Sequence, residues 1–284
     1  MKFLLKLIML QFIFISASSA KSELDRVTSR FYTSLENFLE ENFENTDFSI
    51  KKIESIKPEI GIQTFKKFSE SDNDLSFFQG SLFLHDSDRE TINLGIGKRY
   101  LSKDDSVLFG INAFYDYEFD YEHQRFSLGS EIKSSILDLN YNKYFSQSAS
   151  KKGKDNKDEE SVDGYDLELG AHLPYIPSTK AYLKTFDFEV PNGNDFQGLE
   201  YSAQIKVPNS GISFEIGHTD YDNHNDQSFI FIKFSSNNKN PGYSFVSNQA
   251  YEKISMKERM SEKVRRDNII KKKGDSFTVK AGGF

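Results

Sequence analysis

Apolar and polar residues alternate one by one along most of the chain from residue 46 onward. In the segment 164–173, Leu167 and Leu169 stand at odd-numbered positions, whereas Asp166 and Glu168 stand at even-numbered positions. Side chains of a β-strand point alternately to its two faces, so this period of two predicts a strand with one apolar and one polar face. Runs of about nine to ten residues with this pattern are long enough to cross a membrane as tilted strands.

About twelve such runs follow one another along the chain, and turn-forming residues separate most of them. If the strands are antiparallel, successive connections fall alternately at the two ends of the sheet. The longest connection, 148–162, then lies at the opposite end from the tight turn at 208–210. Outer-membrane barrels have long loops at one end and short turns at the other, although here a long connection near 67–74 falls at the short-turn end. The runs lie near 46–53, 57–66, 75–85, 90–100, 106–117, 123–133, 136–147, 163–173, 179–188, 196–207, 211–220 and 227–235.

Two all-β architectures fit this pattern, a transmembrane barrel and a secreted β-sandwich. The strands of a sandwich are typically shorter, near five or six residues. The chain contains 27 Phe and 14 Tyr, and aromatic residues at strand ends are typical of the girdles of a membrane barrel. A mean hydropathy of −0.59 is compatible with a barrel, because every second residue of its strands faces the lumen. The pattern therefore favours an all-β fold, an antiparallel transmembrane barrel of about twelve strands over 46–235.

The start of the chain has the pattern of a secretory signal. Two lysines precede an apolar run that ends near Ile15, and small residues at 18–20 offer a cleavage point. The alternative is a membrane anchor, for which the apolar run is short. We therefore expect a cleaved signal peptide at 1–20. The apolar residues of 21–45 have helical spacing, which predicts a short amphipathic helix on the periplasmic side.

Charge and cysteine content narrow the class of protein further. The formal net charge is −7, and it becomes −9 once the two lysines of the signal are removed. We expect no nucleic-acid partner, because binding to phosphates requires a basic surface. The sequence contains no cysteine, so an exported chain of this length must be stable without disulfides.

Five short motifs stand in a fixed order along the chain. They are Ile92–Tyr100 with N-L-G-I-G-K-R, Phe109–Tyr117 with G-I-N-A-F-Y-D, Arg125–Glu131, Gly164–Asp166 with the Leu173-Pro174 turn, and Val264–Ile270. Together these motifs resemble the inverse autotransporter β-domain of intimins and invasins, over roughly residues 24–273. We find no peptidoglycan-binding repeat before the predicted helix and no immunoglobulin-like passenger after residue 273, so we expect a domain without a large passenger.

The resemblance implies a twelve-stranded barrel in the outer membrane of a Gram-negative bacterium. In that family a linker passes through the lumen and displays a C-terminal passenger outside the cell, often an adhesin. The expected partners are then outer-membrane lipid, the barrel assembly machinery, periplasmic chaperones and host or cell-surface ligands. A closed barrel also satisfies all backbone polar groups within lipid, as the physics of the membrane requires.

The C-terminal part, 236–284, is predicted to hold the pore linker and tail. Residues 251–273 have helical spacing and carry nine basic against four acidic side chains, a net charge of +5. The lumen face of the strands is mostly acidic, so charge pairing would hold this segment inside as a helical plug. A solvated tail, or one bound to anionic lipid, is the alternative. The linker candidates are Lys263, Arg265, Arg266 and Asn268, and the acidic lumen candidates are Asp138, Asp166, Glu168 and Glu200.

Little in the sequence indicates chemistry. The five histidines show no metal-binding spacing, and His218 with nearby acidic residues is better explained by an ordinary solvated barrel rim than by a catalytic site. We therefore expect no enzyme activity, cofactor or metal. Three functions stay open: a translocator or display barrel, a surface adhesin acting through 148–162 and 221–227, and a small channel, which would need an open lumen.

Overall fold

The computed structural model describes residues 45–54, 56–86, 89–153, 156–236 and 244–274. The predicted signal peptide at 1–20 and nearly all of the predicted helix at 21–45 lie outside the described residues. The strands are β1 (Thr46–Ile53), β2 (Glu59–Glu70), β3 (Asp74–His85), β4 (Arg89–Leu101), β5 (Val107–Glu118), β6 (Gln124–Ser134), β7 (Leu137–Ser146), β8 (Lys151–Lys152), β9 (Asp158–Ser161), β10 (Gly164–Leu173), β11 (Ile176–Phe188), β12 (Phe196–Lys206), β13 (Ile212–Tyr221), β14 (Gln227–Ser235) and β15 (Lys272–Gly274). A short helix, α1, spans Met256–Arg259.

Twelve of these strands, β1–β7 and β10–β14, form a closed antiparallel barrel. Each pairs with its neighbours along the chain, and β1 closes the sheet by pairing with both β2 and β14. Closure leaves no open strand edge toward lipid. The twelve predicted strands and the all-β barrel are therefore confirmed.

Successive connections of an antiparallel barrel lie alternately at its two ends, so they form two sets. We name the end that carries the β7–β10 connection the outer end, and the opposite end the inner end. The long connection predicted near 67–74 was wrong, because β2 continues to Glu70 and β3 begins at Asp74. The register of the pair shifts between Lys67 and Ser69, and this irregularity breaks the alternation that marks a strand in the sequence. The inner end thus has a short turn at this position too.

The two faces of the barrel wall differ in polarity. Large apolar side chains cover the outside, among them Ile96, Ile111 and Ile216, each 60% exposed. The inside is lined by buried polar and charged side chains such as Asn93 and Arg99. This is the distribution of a barrel that meets lipid outside and encloses a polar lumen. No helix among the described residues is long and apolar enough to cross a membrane.

A charge on the lipid-facing surface should be costly. Leu169 lies in the middle of β10, 44% exposed, opposite Leu139 and Leu183. We expect Leu169→Arg to destabilise the barrel by about 2–4 kcal/mol, because it would place a cation near the bilayer midplane. Leu169→Met is the matched control and should be nearly neutral. Urea unfolding in lipid vesicles measures the difference, and equal stability of the two variants would show that this face does not meet lipid.

After β14 the chain returns through the barrel. We call residues 244–274 the linker. Near the inner end, Tyr175 of the β10–β11 turn bonds the linker backbone at Ser247 and Ala250. At the outer end, β15 pairs antiparallel with β9, which also pairs with β8, and the three form a small sheet. The linker therefore runs through the lumen from the inner to the outer end.

The expected helix over 251–273 is confined to one turn, α1. Beyond α1 the linker is mostly irregular and ends in β15. The prediction of a long plug helix was wrong in its extent, because amphipathic spacing does not show which groups form hydrogen bonds with the backbone N–H and C=O groups. Here side chains of the barrel wall take over the hydrogen bonds that a helix would make internally.

Candidate functional site: the linker within the lumen

The linker enters the lumen as an apolar plug at the inner end. Its side chains Met256, Met260 and Val264 are at most 3% exposed. They belong to one cluster with residues of β2–β5. Asp105, in the β4–β5 turn, holds α1 in place, since its Oδ1 accepts a hydrogen bond from the backbone N–H of Lys257 at 2.8 Å. The wall residues of this cluster are Phe65, Leu75, Phe77, Leu101, Leu108 and Phe114.

Two wall arginines bind the linker through its backbone. Arg99 of β4 donates to the carbonyl oxygens of Met260 and Glu262, each at 2.6 Å. Arg125 of β6 donates to the carbonyl oxygens of Asp267 at 2.5 Å and Ile269 at 3.2 Å. Both arginines are fully buried. Charged donors make stronger hydrogen bonds than neutral ones, so these two side chains replace much of the backbone bonding that a helix would supply.

Polar wall residues continue this contact. Asn93 donates to the carbonyl of Asn268 at 2.9 Å, and Asn142 donates to the carbonyl of Arg265 at 3.1 Å. The hydroxyl of Tyr144 accepts from the backbone N–H of residue 267 at 2.7 Å. These contacts recognise the main chain of the linker, whatever side chains it carries.

Arg266 of the linker lies in the most deeply buried charge cluster. It binds Asp116 of β5 through two nitrogens, at 2.7 and 2.9 Å, and Arg125 also donates to Asp116 at 2.8 Å. All three side chains are fully buried. The guanidinium of Arg266 also lies over the ring of Phe114, 4.4 Å from its centroid. A bidentate pair of this kind fixes both the position and the orientation of the arginine.

A glycine makes room for this arrangement. A Cβ on Gly95 would lie 2.2 Å from the ring of Phe114. The Gly95 position therefore lets the ring lie flat against the wall, where Arg266 can stack on it. This gives a structural reason for a glycine in the middle of a barrel strand.

Arg265 points to the opposite wall. It donates to Glu168 of β10 at 2.7 and 2.9 Å and lies 3.3 Å from Glu215 of β13. The ring of Tyr182 packs against its guanidinium at 3.8 Å. Arg265 and Arg266 thus tie the linker to two sides of the barrel at one level.

Two further cations hold the linker nearer the inner end. Arg259 donates to both carboxylate oxygens of Asp138 at 2.8 and 2.7 Å. Lys263 donates to Asp47 of β1 at 2.8 Å and to Asn45 at 2.6 Å. Such buried pairs resist breakage because separation leaves a buried charge without a partner.

At the outer end the linker meets the β8–β9 hairpin. Lys272 pairs with Glu118 at the end of β5. Arg89 bridges Glu118 and Glu159 of β9, with 2.6 Å to each carboxylate. Burial would raise the pKa of Glu159, but contacts with His123 and Arg89 and the charge of Lys272 lower it to about 2. The carboxylate is therefore charged across the physiological range and holds the hairpin against the barrel rim.

This low pKa predicts how acid opens the outer end. The folded-state pKa of Glu159 lies below its ordinary 4.5, so its stabilisation is complete above about pH 4.5 and is lost as the pH falls toward 2. We expect the hydrogen-exchange protection factors of the β8–β9 backbone amides to fall over this window. Glu159→Gln should be less protected at pH 4.5 and change less with pH. Identical pH profiles of the variant and the parent would contradict the role given to this carboxylate.

One group near this rim has atoms suited to a metal ion. A ligand atom from each of Glu118, His123 and Glu159 lies within 4.8 Å of the others. The spacing of histidines in the sequence did not reveal this group, because the three residues meet only through the fold. Arg89 and Lys272 already occupy its carboxylates, and their positive charges oppose a cation there.

The structure separates the acidic lumen candidates into two sets. Asp138 and Glu168 contact linker arginines. Asp166 instead accepts from Asn142 and Tyr144, and Glu200 pairs with Lys184 of the wall at 2.7 Å. Their roles stay predictions.

All four linker candidates contact the barrel wall. Lys263 binds Asn45 and Asp47, and Arg265 binds Glu168. Arg266 binds Asp116, and the carbonyl of Asn268 accepts from Asn93. The prediction omitted Arg259 of the linker and the wall partners Asp116 and Glu215. These two carboxylates lie at polar positions of their strands, but alternation gives the face of a residue and not its partner across the lumen. The wall arginines Arg99 and Arg125 lie on the polar face that the alternation predicts, but their contacts with the linker backbone were not predicted.

A closed barrel with an apolar exterior, and with its own C-terminal segment bound inside, defines an outer-membrane translocator-type β-barrel. The model of the inverse autotransporter β-domain matches residues 16–268. The chain belongs to this family, which consists of outer-membrane barrels and is not a family of enzymes. It is therefore a protein of the Gram-negative outer membrane, surrounded by membrane lipid.

Two relatives agree with this assignment. An attaching and effacing protein homolog of Escherichia coli strain K12 is 30% identical over 175 residues, 61% of this chain and 55% of the relative. Invasin of Yersinia enterocolitica is 27% identical over 140 residues, 44% of this chain and 16% of the relative. The matches thus span about half of one relative and a sixth of the other.

One similar solved structure comes from a study of the in-meso crystallization of membrane proteins. It is 19% identical, has a TM-score of 0.68, and the match covers 82% of this chain and all of that one. At this identity the similarity concerns the fold alone.

Proposed function

We propose that this chain is the anchoring and translocating barrel of a surface-display system. The observation that carries the proposal is the course of the linker, which enters at the inner end beside Tyr175 and pairs with β9 at the outer end. A segment joined to the end of the chain would therefore be held outside the cell. The barrel itself would do no catalysis.

Assembly of such a barrel requires partners in the periplasm. The barrel assembly machinery and periplasmic chaperones are the partners we propose, because unpaired strands with one apolar face must be kept from aggregating before closure. Host or cell-surface ligands would meet whatever segment the linker displays, or the β8–β9 hairpin itself. Binding through the hairpin is the adhesin alternative, supported by the pairing of β9 with β8 and with β15 at the outer end.

An open diffusion channel is the function that the structure supports least. The linker occupies the lumen and pairs with strands β7, β10 and β5 of the wall, through Arg259, Arg265 and Arg266. Ions would have to pass through the narrow space that remains beside it.

A display experiment tests the proposal. An epitope fused after Phe284 should be reached by antibody on intact cells. The matched control carries the same epitope directly after residue 236, without the linker, and should be reached only after the outer membrane is permeabilised. If the epitope after Phe284 is also protected in intact cells, while the barrel is in the outer membrane, the linker does not deliver its C-terminal end to the surface.

A further inference from the structure

The linker begins with exposed apolar side chains at the inner end of the barrel. Phe245, Val246 and Tyr251 are 54%, 71% and 42% exposed. Three residues further on, Ile254 is only 7% exposed and belongs to the apolar plug. Large apolar side chains that lie together on a surface mark a site of contact with a partner or a membrane. We call residues 244–251, which precede the plug, the lead segment.

The β10–β11 turn holds the lead segment at the rim of the barrel. The backbone N–H of Tyr175 donates to the carbonyl oxygen of Ala250 at 2.9 Å. The backbone N–H of Ser247 donates to the carbonyl oxygen of Tyr175, also at 2.9 Å. Two backbone bonds to one turn residue give the lead segment a defined place beside this turn.

The exposed surface beside this turn is continuous with the lipid-facing side of the barrel. Tyr175 and Ile176, the first residue of β11, are both exposed. On the neighbouring side of β10, Ile136 and Leu137 are exposed as well. Leu137 pairs with Ala171 of β10 and lies on the apolar outer face of β7. The lead segment therefore lies where the apolar belt of the barrel reaches its inner rim.

The lead segment also has the composition of a chain at a membrane surface. It reads Ser-Phe-Val-Ser-Asn-Gln-Ala-Tyr and contains no charge, in a chain in which 28% of the residues are charged. Aromatic residues are enriched at the boundary between lipid and water. Asn248 and Gln249, which lie between the apolar residues, are exposed too and can stay hydrated at the level of the headgroups.

We propose that the lead segment lies in the lipid–water interface of the leaflet at the inner end, with Phe245, Val246 and Tyr251 in contact with phospholipid. The apolar belt of the barrel already meets this leaflet, so phospholipid is the occupant that covers the patch. The contact fixes the point at which the linker turns into the lumen. Drawing the linker further outward would move these three side chains from lipid into a polar lumen, which is unfavourable. The segment lies there whether or not the barrel displays a passenger.

A single tryptophan tests this placement, because the sequence contains no tryptophan. In the full chain reconstituted in vesicles, Phe245→Trp should show blue-shifted fluorescence that is quenched by phospholipids with brominated acyl chains. Bromines near the headgroup should quench more strongly than bromines near the chain ends, because the segment lies at the interface. Leu137→Trp is the lipid-facing control and should be quenched. Asn225→Trp, exposed in the β13–β14 loop at the outer end, should emit as in water and be quenched little.

The neighbouring side chains should contribute to the contact. Adding Val246→Ser and Tyr251→Ser to Phe245→Trp should lower the quenching, because two of the three apolar contacts with lipid are lost. Tyr251→Trp in the parent chain is a second reporter and should behave like Phe245→Trp. Heat-modifiable migration shows that each variant is folded.

Three results would overturn the lipid contact. Emission of Phe245→Trp as in water, without quenching, would show that the lead segment faces solvent. Blue-shifted emission without quenching would show that protein covers it. Stronger quenching by bromines near the chain ends would place it in the hydrocarbon core rather than at the interface. Quenching that the two serine substitutions leave unchanged would contradict the role given to Val246 and Tyr251.

Discussion

Deleting residues 245–284 should turn a nearly closed barrel into an open pore. The linker occupies the lumen from α1 to β15, and a twelve-stranded barrel is wide enough to conduct once it is removed. In planar bilayers we expect single-channel conductance to rise by roughly tenfold or more. The open pore should also prefer cations, because Asp116, Glu168 and Glu215 would lose their linker arginines.

The truncated barrel needs a control for folding. Heat-modifiable migration and outer-membrane fractionation should match those of the parent chain, since the wall closes through β1 and β14 without the linker. High salt should reduce the cation preference by screening the wall carboxylates. If a folded, truncated barrel conducts no better than the parent, the linker does not block the lumen.

Reversing the charge of Arg266 should have the second largest effect. Arg266→Glu would place a carboxylate beside Asp116, where both positions are fully buried. Loss of a buried pair destabilises by about 3–5 kcal/mol, and repulsion adds to this. The variant can escape only by expelling this part of the linker, so we expect raised conductance and easier proteolysis of the linker.

Arg266→Lys is the matched control for this reversal. It keeps the positive charge but loses the bidentate contact and the stacking on Phe114. Its effect should be clearly smaller, though not zero. Comparable conductance and proteolysis of Arg266→Glu, Arg266→Lys and the parent would show that the Arg266–Asp116 pair does not hold the linker.

The barrel could be predicted from the sequence because the alternation of apolar and polar residues in a strand indicates which side chains face lipid and which face the lumen. Leu169 and Glu168 are neighbours in the chain, yet one faces lipid and the other the lumen, as their polarity predicts. Among the barrel strands, the pattern failed near Lys67, where the register shifts. There polar side chains follow one another and hide the end of β2.

The contacts of the linker were harder to predict from the sequence, for two physical reasons. Helical spacing in 251–273 suggested internal backbone bonds, whereas Arg99 and Arg125 supply them from the wall. Partner choice across the lumen depends on three-dimensional position. Glu200 and Glu215 are both buried acids on adjacent strands, but Glu200 reaches Lys184 and Glu215 reaches Arg265.

We propose that the linker crosses the barrel from the periplasm to the cell surface. The sequence has no cysteine, so a single introduced thiol can report the side on which it lies. Gln249→Cys and Lys273→Cys place one thiol before the lumen and one after it. With a membrane-impermeant maleimide on intact cells, Lys273→Cys should be labelled, and Gln249→Cys should be labelled only after permeabilisation. Labelling of Gln249→Cys on intact cells, or of neither position until permeabilisation, would contradict a linker that traverses the barrel.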